Sequence, residues 1–171
     1  MGVGGSRLKA TGRCIFLMKV SQILTYDTYW ADVKFRIKKP VRNGSQKMMV
    51  GDNIYHRNPS TKGWIQEDSH HSNLDGSMNI DNQKRDTKSE NVLVSKHFYY
   101  FGSAAISVDL TSLNYRNGVG HSKKALHSAN VAAFLKKFED CNCREKNMVI
   151  ADPFDFSYAS KRVDQKTRII K

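Results

Sequence analysis

The chain has 171 residues, the length of one compact domain, and its composition is strongly basic. Lysine and arginine number 28 against 16 aspartate and glutamate residues, which gives a formal charge of +12. This charge favours polyanions such as nucleic acid, although a basic surface that serves only solubility would have the same composition. No apolar run is long enough to span a membrane and the start lacks a hydrophobic signal core, so we expect a cytoplasmic protein with no membrane contact.

Three cysteines, an odd number, favour a reducing compartment over a disulfide framework. Cys141 and Cys143 are too close in sequence for an easy disulfide with each other. A zinc site would need four ligands, and the histidines nearest in sequence, His121 and His127, fall in or beside a predicted helix. The sequence therefore predicts no metal and no other cofactor.

The first predicted elements are a strand and a helix. Residues 14–20, CIFLMKV, form a short apolar run that predicts a buried strand, after a glycine-rich start that we expect to be flexible. Thr25 suits the N-cap of a helix with Tyr26, Trp30 and Val33 on one face. This helix should end before the Lys-Lys-Pro sequence, because proline disfavours the helical conformation in the residue before it.

The middle of the chain predicts short strands and one long loop. Apolar pieces at 48–50, 54–55 and 64–65 alternate with turn sequences, as in a meander of strands. Residues 68–90 are polar and mixed in charge, with few aliphatic residues that could anchor them. They predict a long loop.

The last predicted elements are a strand, a helix and a tail. Residues 91–101, NVLVSKHFYYF, give the strongest strand signal, which a bulge at Ser95-Lys96 could break. Residues 157–171 are rich in lysine and arginine and predict a basic C-terminal tail. Apolar residues at helical spacing predict one longer helix; they are Leu126, Val131, Phe134, Leu135 and Phe138.

These elements describe an α+β domain over residues 1–156, followed by the tail. Strands dominate its middle, a short helix follows the first strand, and the longer helix lies towards the C-terminus. Such a set is typical of a small curled sheet or a small β-barrel.

Residues 51–71 hold the densest group of side chains suited to ligand binding, within GDNIYH and GWIQEDSHH. Flat rings can stack on a nucleobase while side-chain amides read its edge, so the mixture suits a base-binding pocket. The alternative is that the rings form core and the polar residues cap turns, and rings at helical or strand spacing elsewhere are also more often core. The candidate base-binding residues are Asn53, Tyr55, His56, Trp64, Gln66, Ser69, His70 and His71, with Tyr29, Trp30 and Tyr100.

Histidines in the same region raise a catalytic hypothesis, since imidazole transfers protons near neutral pH. Adjacent histidines on an extended chain point to opposite faces, and no HxxxH or HExxH motif is present, which argues against a metal centre. The catalytic candidates are His56, His70 and His71 as general base, with Asp52 or Asp68 as the orienting carboxylate.

A short basic run precedes this region. Its lysines and arginines would contact phosphates if any segment does, although a solvated face is the plainer interpretation. The candidate phosphate-binding residues are Arg36, Lys38, Lys39 and Arg42.

An ordered set of motifs resembles a known family. The set comprises MKV, YDTYW, F-R-x-K-K-P, GDNIYH, GWIQEDSHHS, Asp86-Thr87 before NVLVSKHFYYFG, and GHSKK, between about residues 4 and 138. It resembles the nucleotide-modification-associated domain type 2 family, found in bacterial and phage systems that modify DNA bases or recognise modified ones. The pattern is also similar to the PUA, ASCH, EVE and YTH group, and this resemblance implies a barrel with an aromatic pocket for a flipped base.

Three classes of function remain open from the sequence. The leading hypothesis is a binding module for a modified nucleobase or nucleotide, with DNA favoured over RNA, in a DNA-modification or defence setting. An alternative is a nuclease or nucleotide-modifying enzyme that uses the histidine and aspartate candidates, with or without a metal. A third is a basic phage or host protein-interaction domain.

Overall fold

The computed structural model describes residues 1–113, 129–159 and 161, and its chain divides into two compact units. Unit 1 comprises Met1–Ser21 and Ser95–Phe154. Unit 2 comprises Gln22–Val94 and Asp155–Lys171.

Eight strands and five α-helices are present in the described residues. The strands are β1 Gly2–Val3, β2 Arg13–Lys19, β3 Gln22–Thr25, β4 Tyr55–Arg57, β5 Trp64–Gln66, β6 Asn91–Val94, β7 His97–Tyr100 and β8 Ile106–Ser107. The α-helices are α1 Tyr26–Ala31, α2 Gln46–Met49, α3 Ile80–Asp86, α4 Ala129–Cys141 and α5 Phe156–Ala159. Short 3-10 helices cover Ser6–Leu8, Val33–Lys38, Gly102–Ala104, Thr111–Leu113 and Cys143–Glu145.

Unit 1 is a small antiparallel sheet covered by α4. Strand β2 pairs with each of β1, β7 and β8. Tyr99 and Phe101 alternate into the core, where the ring of Phe138 from α4 meets Tyr99 edge to face at a centroid distance of 5.2 Å. Cys14 is buried beside them, and its burial raises the pKa of the thiol to about 11. All three cysteines are unpaired thiols.

Unit 2 contains two separate two-stranded antiparallel sheets, β3–β6 and the β4–β5 hairpin. Helix α1 begins after Thr25, whose hydroxyl oxygen accepts the N–H of Thr28 at 3.1 Å, as the sequence predicts. The helix lies against the hairpin, since the ring of Tyr26 meets that of Tyr55 edge to face at 6.0 Å. This packing positions the hairpin side chains that are described below.

The α+β class is confirmed, whereas the barrel form of that prediction is not found. Across residues 1–113 and 129–159 the strands form three small open sheets and no closed barrel. The predicted strand over 91–101 is broken at Ser95-Lys96, and its halves join different sheets, β6 with β3 and β7 with β2. The glycine-rich start contributes β1, and β3 separates the first predicted strand from the short helix.

Two local predictions are wrong for identifiable reasons. The apolar run 48–50 lies partly in helix α2, because three apolar residues carry no period that separates strand from helix. The predicted loop 68–90 contains α3, whose buried residues are Asn82 and Gln83 rather than an apolar stripe. An N-cap stabilises the start of this helix, since the side-chain oxygen of Asn79 accepts the N–H of Asn82 at 3.0 Å.

The longer predicted helix is present as α4, which extends to Cys141. Leu126 lies outside the described residues. Most of the basic tail also lies outside them, apart from α5 and position 161.

Candidate functional site

The β4–β5 hairpin of unit 2 presents two faces with different chemistry. Its register pairs Tyr55 with Gln66 and His56 with Ile65. Side chains alternate along a strand, so the first pair lies on one face, called here the Tyr55 face, and the second pair on the opposite His56 face.

The His56 face carries a stack of flat groups. The imidazole of His56 lies parallel to the indole of Trp30, with centroids 4.2 Å apart and an interplanar angle of 12°. The Lys39 ammonium sits 3.3 Å from the indole centroid, a cation–π contact. His56 Nε2 also donates to Glu67 Oε1 at 2.8 Å, because an ionised carboxylate only accepts. These contacts hold both rings in fixed orientations.

A cleft of about 360 Å³ opens beside this stack and is called here the Trp30 cleft. Its volume lies within the range of small-ligand sites. The side-chain oxygen of Asn58 accepts the N–H groups of Ser60 and Thr61, which leaves the amide nitrogen as a donor for a ligand. The lining residues are Asp27, Trp30, His56, Arg57, Asn58, Pro59 and Lys62.

Two cations in the cleft lining are held by the fold. The Arg57 guanidinium lies 3.7 Å from the indole centroid of Trp64 and donates to Glu90 Oε1 at 2.7 Å. Lys62 has a left-handed backbone, with φ of 58°, at the turn of the hairpin. The cleft therefore combines an aromatic wall, amide hydrogen bonding and positive charge.

The Tyr55 face carries a polar network centred on Asp86. Asp86 Oδ2 accepts the Tyr55 hydroxyl at 2.8 Å and His71 Nδ1–H at 2.7 Å. The Tyr55 hydroxyl in turn accepts Gln66 Nε2–H at 2.9 Å, and Tyr26 donates its hydroxyl to the Asp86 carbonyl oxygen at 2.8 Å. Burial raises the pKa of Tyr55, and the hydrogen bond to Asp86 adds to the effect, so this hydroxyl stays protonated. Tyr55, His71 and Asp86 are called here the His71–Asp86 centre.

A short turn over Ser69–Ser72 places His71 in this centre. Ser69 is fully buried, and its hydroxyl oxygen accepts the backbone N–H of His71 at 3.2 Å. The carbonyl oxygen of His71 accepts Asn82 Nδ2–H at 2.7 Å. Ser69 therefore shapes the turn, and both the backbone and the ring of His71 are fixed.

His70 lies beside the centre. Its ring meets that of His71 edge to face at 4.3 Å, and its Nδ1 is buried with no hydrogen-bond partner among the described residues. Burial lowers the pKa of His70 to about 4, and the neighbouring His71 and Arg42 act in the same direction. His70 is therefore neutral at neutral pH.

The carboxylates that pair with histidines are Glu67 and Asp86, which sequence reasoning did not place in that role. The proposed Asp52 instead accepts the Tyr29 hydroxyl at 3.0 Å, and Asp68 lies 3.8 Å from the Arg42 guanidinium. Asp86 lies within the predicted polar loop 68–90 and is 15 residues from His71, so only its place in the Asp-Thr motif marked it.

Three predicted ligand residues are buried and bonded within unit 2. Asn53 is fully buried, and its amide nitrogen donates to the carbonyl oxygens of Tyr29 and Phe35 at 3.1 and 3.4 Å. Tyr55 and Gln66 are 3% and 7% exposed. These side chains hold the hairpin and its neighbours in place, and the Trp30 cleft is lined by other residues.

The predicted phosphate-binding residues are dispersed. Arg36 and Lys38 are exposed on the 3-10 helix Val33–Lys38, whereas Lys39 covers Trp30. Arg42 donates to the Met49 carbonyl oxygen at 3.2 Å. Tyr100, also a candidate, lies in unit 1, where β7 pairs it with Phe16. Burial raises the pKa of its hydroxyl, and the negative charge of Asp152 adds to this.

The described residues lack both a cluster of metal ligands and a membrane-spanning helix. No group of three or more histidine, cysteine, aspartate or glutamate side chains within them is arranged to hold a metal ion. No helix in the same residues is long and apolar enough to cross a bilayer.

Comparison with known families identifies the chain. A family model described as nucleotide modification associated domain 2 matches residues 1–160. The chain belongs to this family. Neither the curated proteins nor the solved structures gave a match. Membership in the nucleotide modification associated domain 2 family indicates a role in nucleotide modification systems.

Proposed function

We propose that unit 2 binds a nucleobase or nucleotide in the Trp30 cleft and that a modified base of DNA is its natural ligand. The observation that carries this proposal is the Trp30–His56 stack beside a cleft whose lining also holds Arg57 and Lys62. Contact between a base and the ring edges, and cationic contact with phosphate, are the two components of nucleotide binding that this lining provides.

The cleft can contact a base through ring edges and amides. His56 and Lys39 cover the two faces of the Trp30 indole, so its edge is the part open to a ligand. The indole N–H of Trp30 is a hydrogen-bond donor that suits a base acceptor. The Asn58 amide nitrogen supplies a second donor. Such donors distinguish bases by their edge acceptors and exocyclic groups.

Charge attracts the ligand to this cleft. Lys62 and Arg57 supply positive charge at the hairpin end, which exceeds the single negative charge of Asp27 in the same lining, within a chain of formal charge +12. Each cation that contacts a phosphate makes binding more dependent on salt, because counterions are released.

A matched pair of variants tests the proposal. Lys62 lines the cleft and Lys9 is exposed in unit 1, and both have left-handed backbones, with φ of 58° and 50°. Asparagine tolerates this conformation, so Lys62→Asn and Lys9→Asn remove the same charge with little strain. Binding of a fluorescent single-stranded oligonucleotide, carrying cytosine or 5-hydroxymethylcytosine, is measured by anisotropy over a salt series.

We expect Lys62→Asn to weaken binding and to reduce the salt slope by about one charge, and Lys9→Asn to change neither. We also expect the two oligonucleotides to bind with different affinities. Absence of binding at low salt, or equal losses in both variants, would contradict the proposal.

A further inference from the structure

The His71–Asp86 centre lies on the Tyr55 face of the hairpin, and none of its three residues lines the Trp30 cleft. Its hydrogen bonds hold both the backbone and the ring of His71, whereas closing the Ser69–Ser72 turn involves only the backbone of His71. The backbone of His71 is held by Ser69 and Asn82, its ring by Asp86, and Asp86 by two tyrosine hydroxyls. Residues from the turn, α1, β4 and α3 thus fix one imidazole.

The hydrogen bond to Asp86 sets the tautomer of His71. Nδ1 carries the proton that it donates to the carboxylate, so in the neutral ring Nε2 holds a lone pair. Nε2 makes no hydrogen bond within residues 1–113 and 129–159, and the His71 side chain is 34% exposed. A carboxylate on Nδ1 also stabilises the imidazolium that forms when Nε2 accepts a proton. This arrangement suits a general base.

Two guanidinium groups lie near the centre, each paired with a carboxylate: Arg85 with Asp86 and Arg42 with Asp68. Arg85 Nε lies 3.4 Å from Asp86 Oδ1, and one of its terminal nitrogens donates to Asn82 Oδ1 at 2.6 Å. The Arg42 charge acts on the His70 ring, which itself contacts His71. Since guanidinium groups recognise phosphate oxygens, a phosphoester is the electrophile that this environment suits.

We propose that the His71–Asp86 centre hydrolyses a phosphoester of a nucleotide, with His71 as general base and Asp86 as the residue that positions it. Nε2 of His71 takes a proton from water while the water oxygen forms a bond to phosphorus. The bond from phosphorus to the leaving oxygen breaks on the opposite side, the leaving oxygen takes a proton from solvent, and the imidazolium releases its proton to solvent. Asp86 stays ionised throughout. The substrate class rests on the proposed nucleotide binding, whereas the centre itself is a separate site.

The test measures turnover in two arms with the full chain. One arm uses a 5′-labelled single-stranded DNA oligonucleotide, and the other uses deoxynucleoside monophosphates with a phosphate-release assay. Each arm is run from pH 5 to pH 8 on the unmodified protein and on three variants. His71→Asn keeps a donor near the Nδ1 position for Asp86 but removes Nε2. Asp86→Asn keeps the shape of the carboxylate, and His97→Asn in unit 1 is the matched control.

We expect turnover in one arm and a loss of about 100-fold or more in His71→Asn with an unchanged melting temperature. The acidic limb of the pH–rate profile should disappear in that variant, which a purely structural role of His71 would not cause. Asp86→Asn should lower the rate and move the limb, and His97→Asn should behave as the unmodified protein. If His71→Asn fails to fold, His71→Gln replaces it.

Absence of turnover in both arms overturns this inference, and so does a His71→Asn rate equal to that of the unmodified protein. Nucleotide binding is judged separately by anisotropy. If binding depends on Lys62 but there is no turnover, the proposed function is retained and the catalytic role of the centre is rejected. If there is turnover but no Lys62-dependent binding, the proposed function is contradicted and the catalytic role of the centre is retained.

Discussion

At the scale of single residues, burial decides what each polar side chain can do. Asn53 and Gln66 have the amides that would read a base edge, but both are buried and bonded within unit 2. The sequence shows the residue type and not its burial, so it could not separate these amides from that of Asn58. His56 was identified from the sequence and lines the cleft, but its stacking partner Trp30 is 26 residues away and could not be paired with it.

His70 should titrate far below an ordinary histidine. Its pKa falls from the usual 6.5 to about 4, mainly through burial, so the unfolded chain binds more protons than the native state between these values. Stability should therefore decrease as the pH falls from 6.5 towards 4. The ring C–H resonances of His70 in an NMR titration give the pKa directly, and urea unfolding gives the stability.

The variant His70→Gln removes this proton-binding site. Its stability should depend less on pH between 4 and 6.5 than that of the unmodified protein. Parallel stability profiles for the two proteins, or a titration midpoint near 6.5 for His70, would show that this ring is not buried.

Replacing the Asn53 amide with a carboxylate should destabilise the protein. In Asn53→Asp the amide donors to the Tyr29 and Phe35 carbonyl oxygens are lost, and a buried charge faces both acceptors. We expect a loss of roughly 3 kcal/mol or more in the free energy of unfolding. Asn43→Asp, at an exposed turn position, is the matched control and should change stability by less than about 0.5 kcal/mol. Equal losses in the two variants would contradict this role of Asn53.

At the scale of elements, patterned segments were predictable and polar ones were not. Helix α1 with its Thr25 cap, the break at Ser95-Lys96 and the strands of the hairpin all follow from local sequence signals. Helix α3 does not, because its buried face is made of amides that bond to neighbouring loops. Without α3 the sequence could not bring Asp86 to His71, and so the His71–Asp86 centre was missed.

Gly51 allows two chain segments to approach closely. A Cβ at this position would lie against the Lys38 carbonyl oxygen and only 2.6 Å from the Pro40 nitrogen, both parts of the backbone that cannot swing aside. Gly51→Ala should therefore separate the segments, lower the free energy of unfolding by about 2 kcal/mol or more, and move Lys39 from Trp30.

Gly63→Ala is the control for this prediction, since its Cβ would meet only the Thr61 hydroxyl at 3.4 Å. Thermal unfolding of the two variants gives the comparison. A Gly51→Ala protein as stable as Gly63→Ala would mean that the segments are not in contact.

At the scale of the whole molecule, the charge of +12 favours a polyanionic ligand but does not indicate a position for one. The α+β class was predictable from the order of elements. The division into two units was not, because the sequence marked Ser95-Lys96 only as a bulge in one strand, whereas the residues on either side of it belong to different units. The family fixes the setting, nucleotide modification, and the geometry of unit 2 supplies the candidate site.

The most direct test of the central claim uses the indole N–H signals of the chain's two tryptophans. Trp30 lines the cleft, whereas Trp64 is covered by Arg57 and Tyr26 and does not line it. The protein, labelled with ¹⁵N, is titrated with the oligonucleotide that carries the modified base, and the Trp30→Phe variant assigns the two signals. The account predicts that the Trp30 signal shifts with saturation while the Trp64 signal moves little. A shift confined to Trp64, or no shift of either signal at saturating ligand, would contradict it.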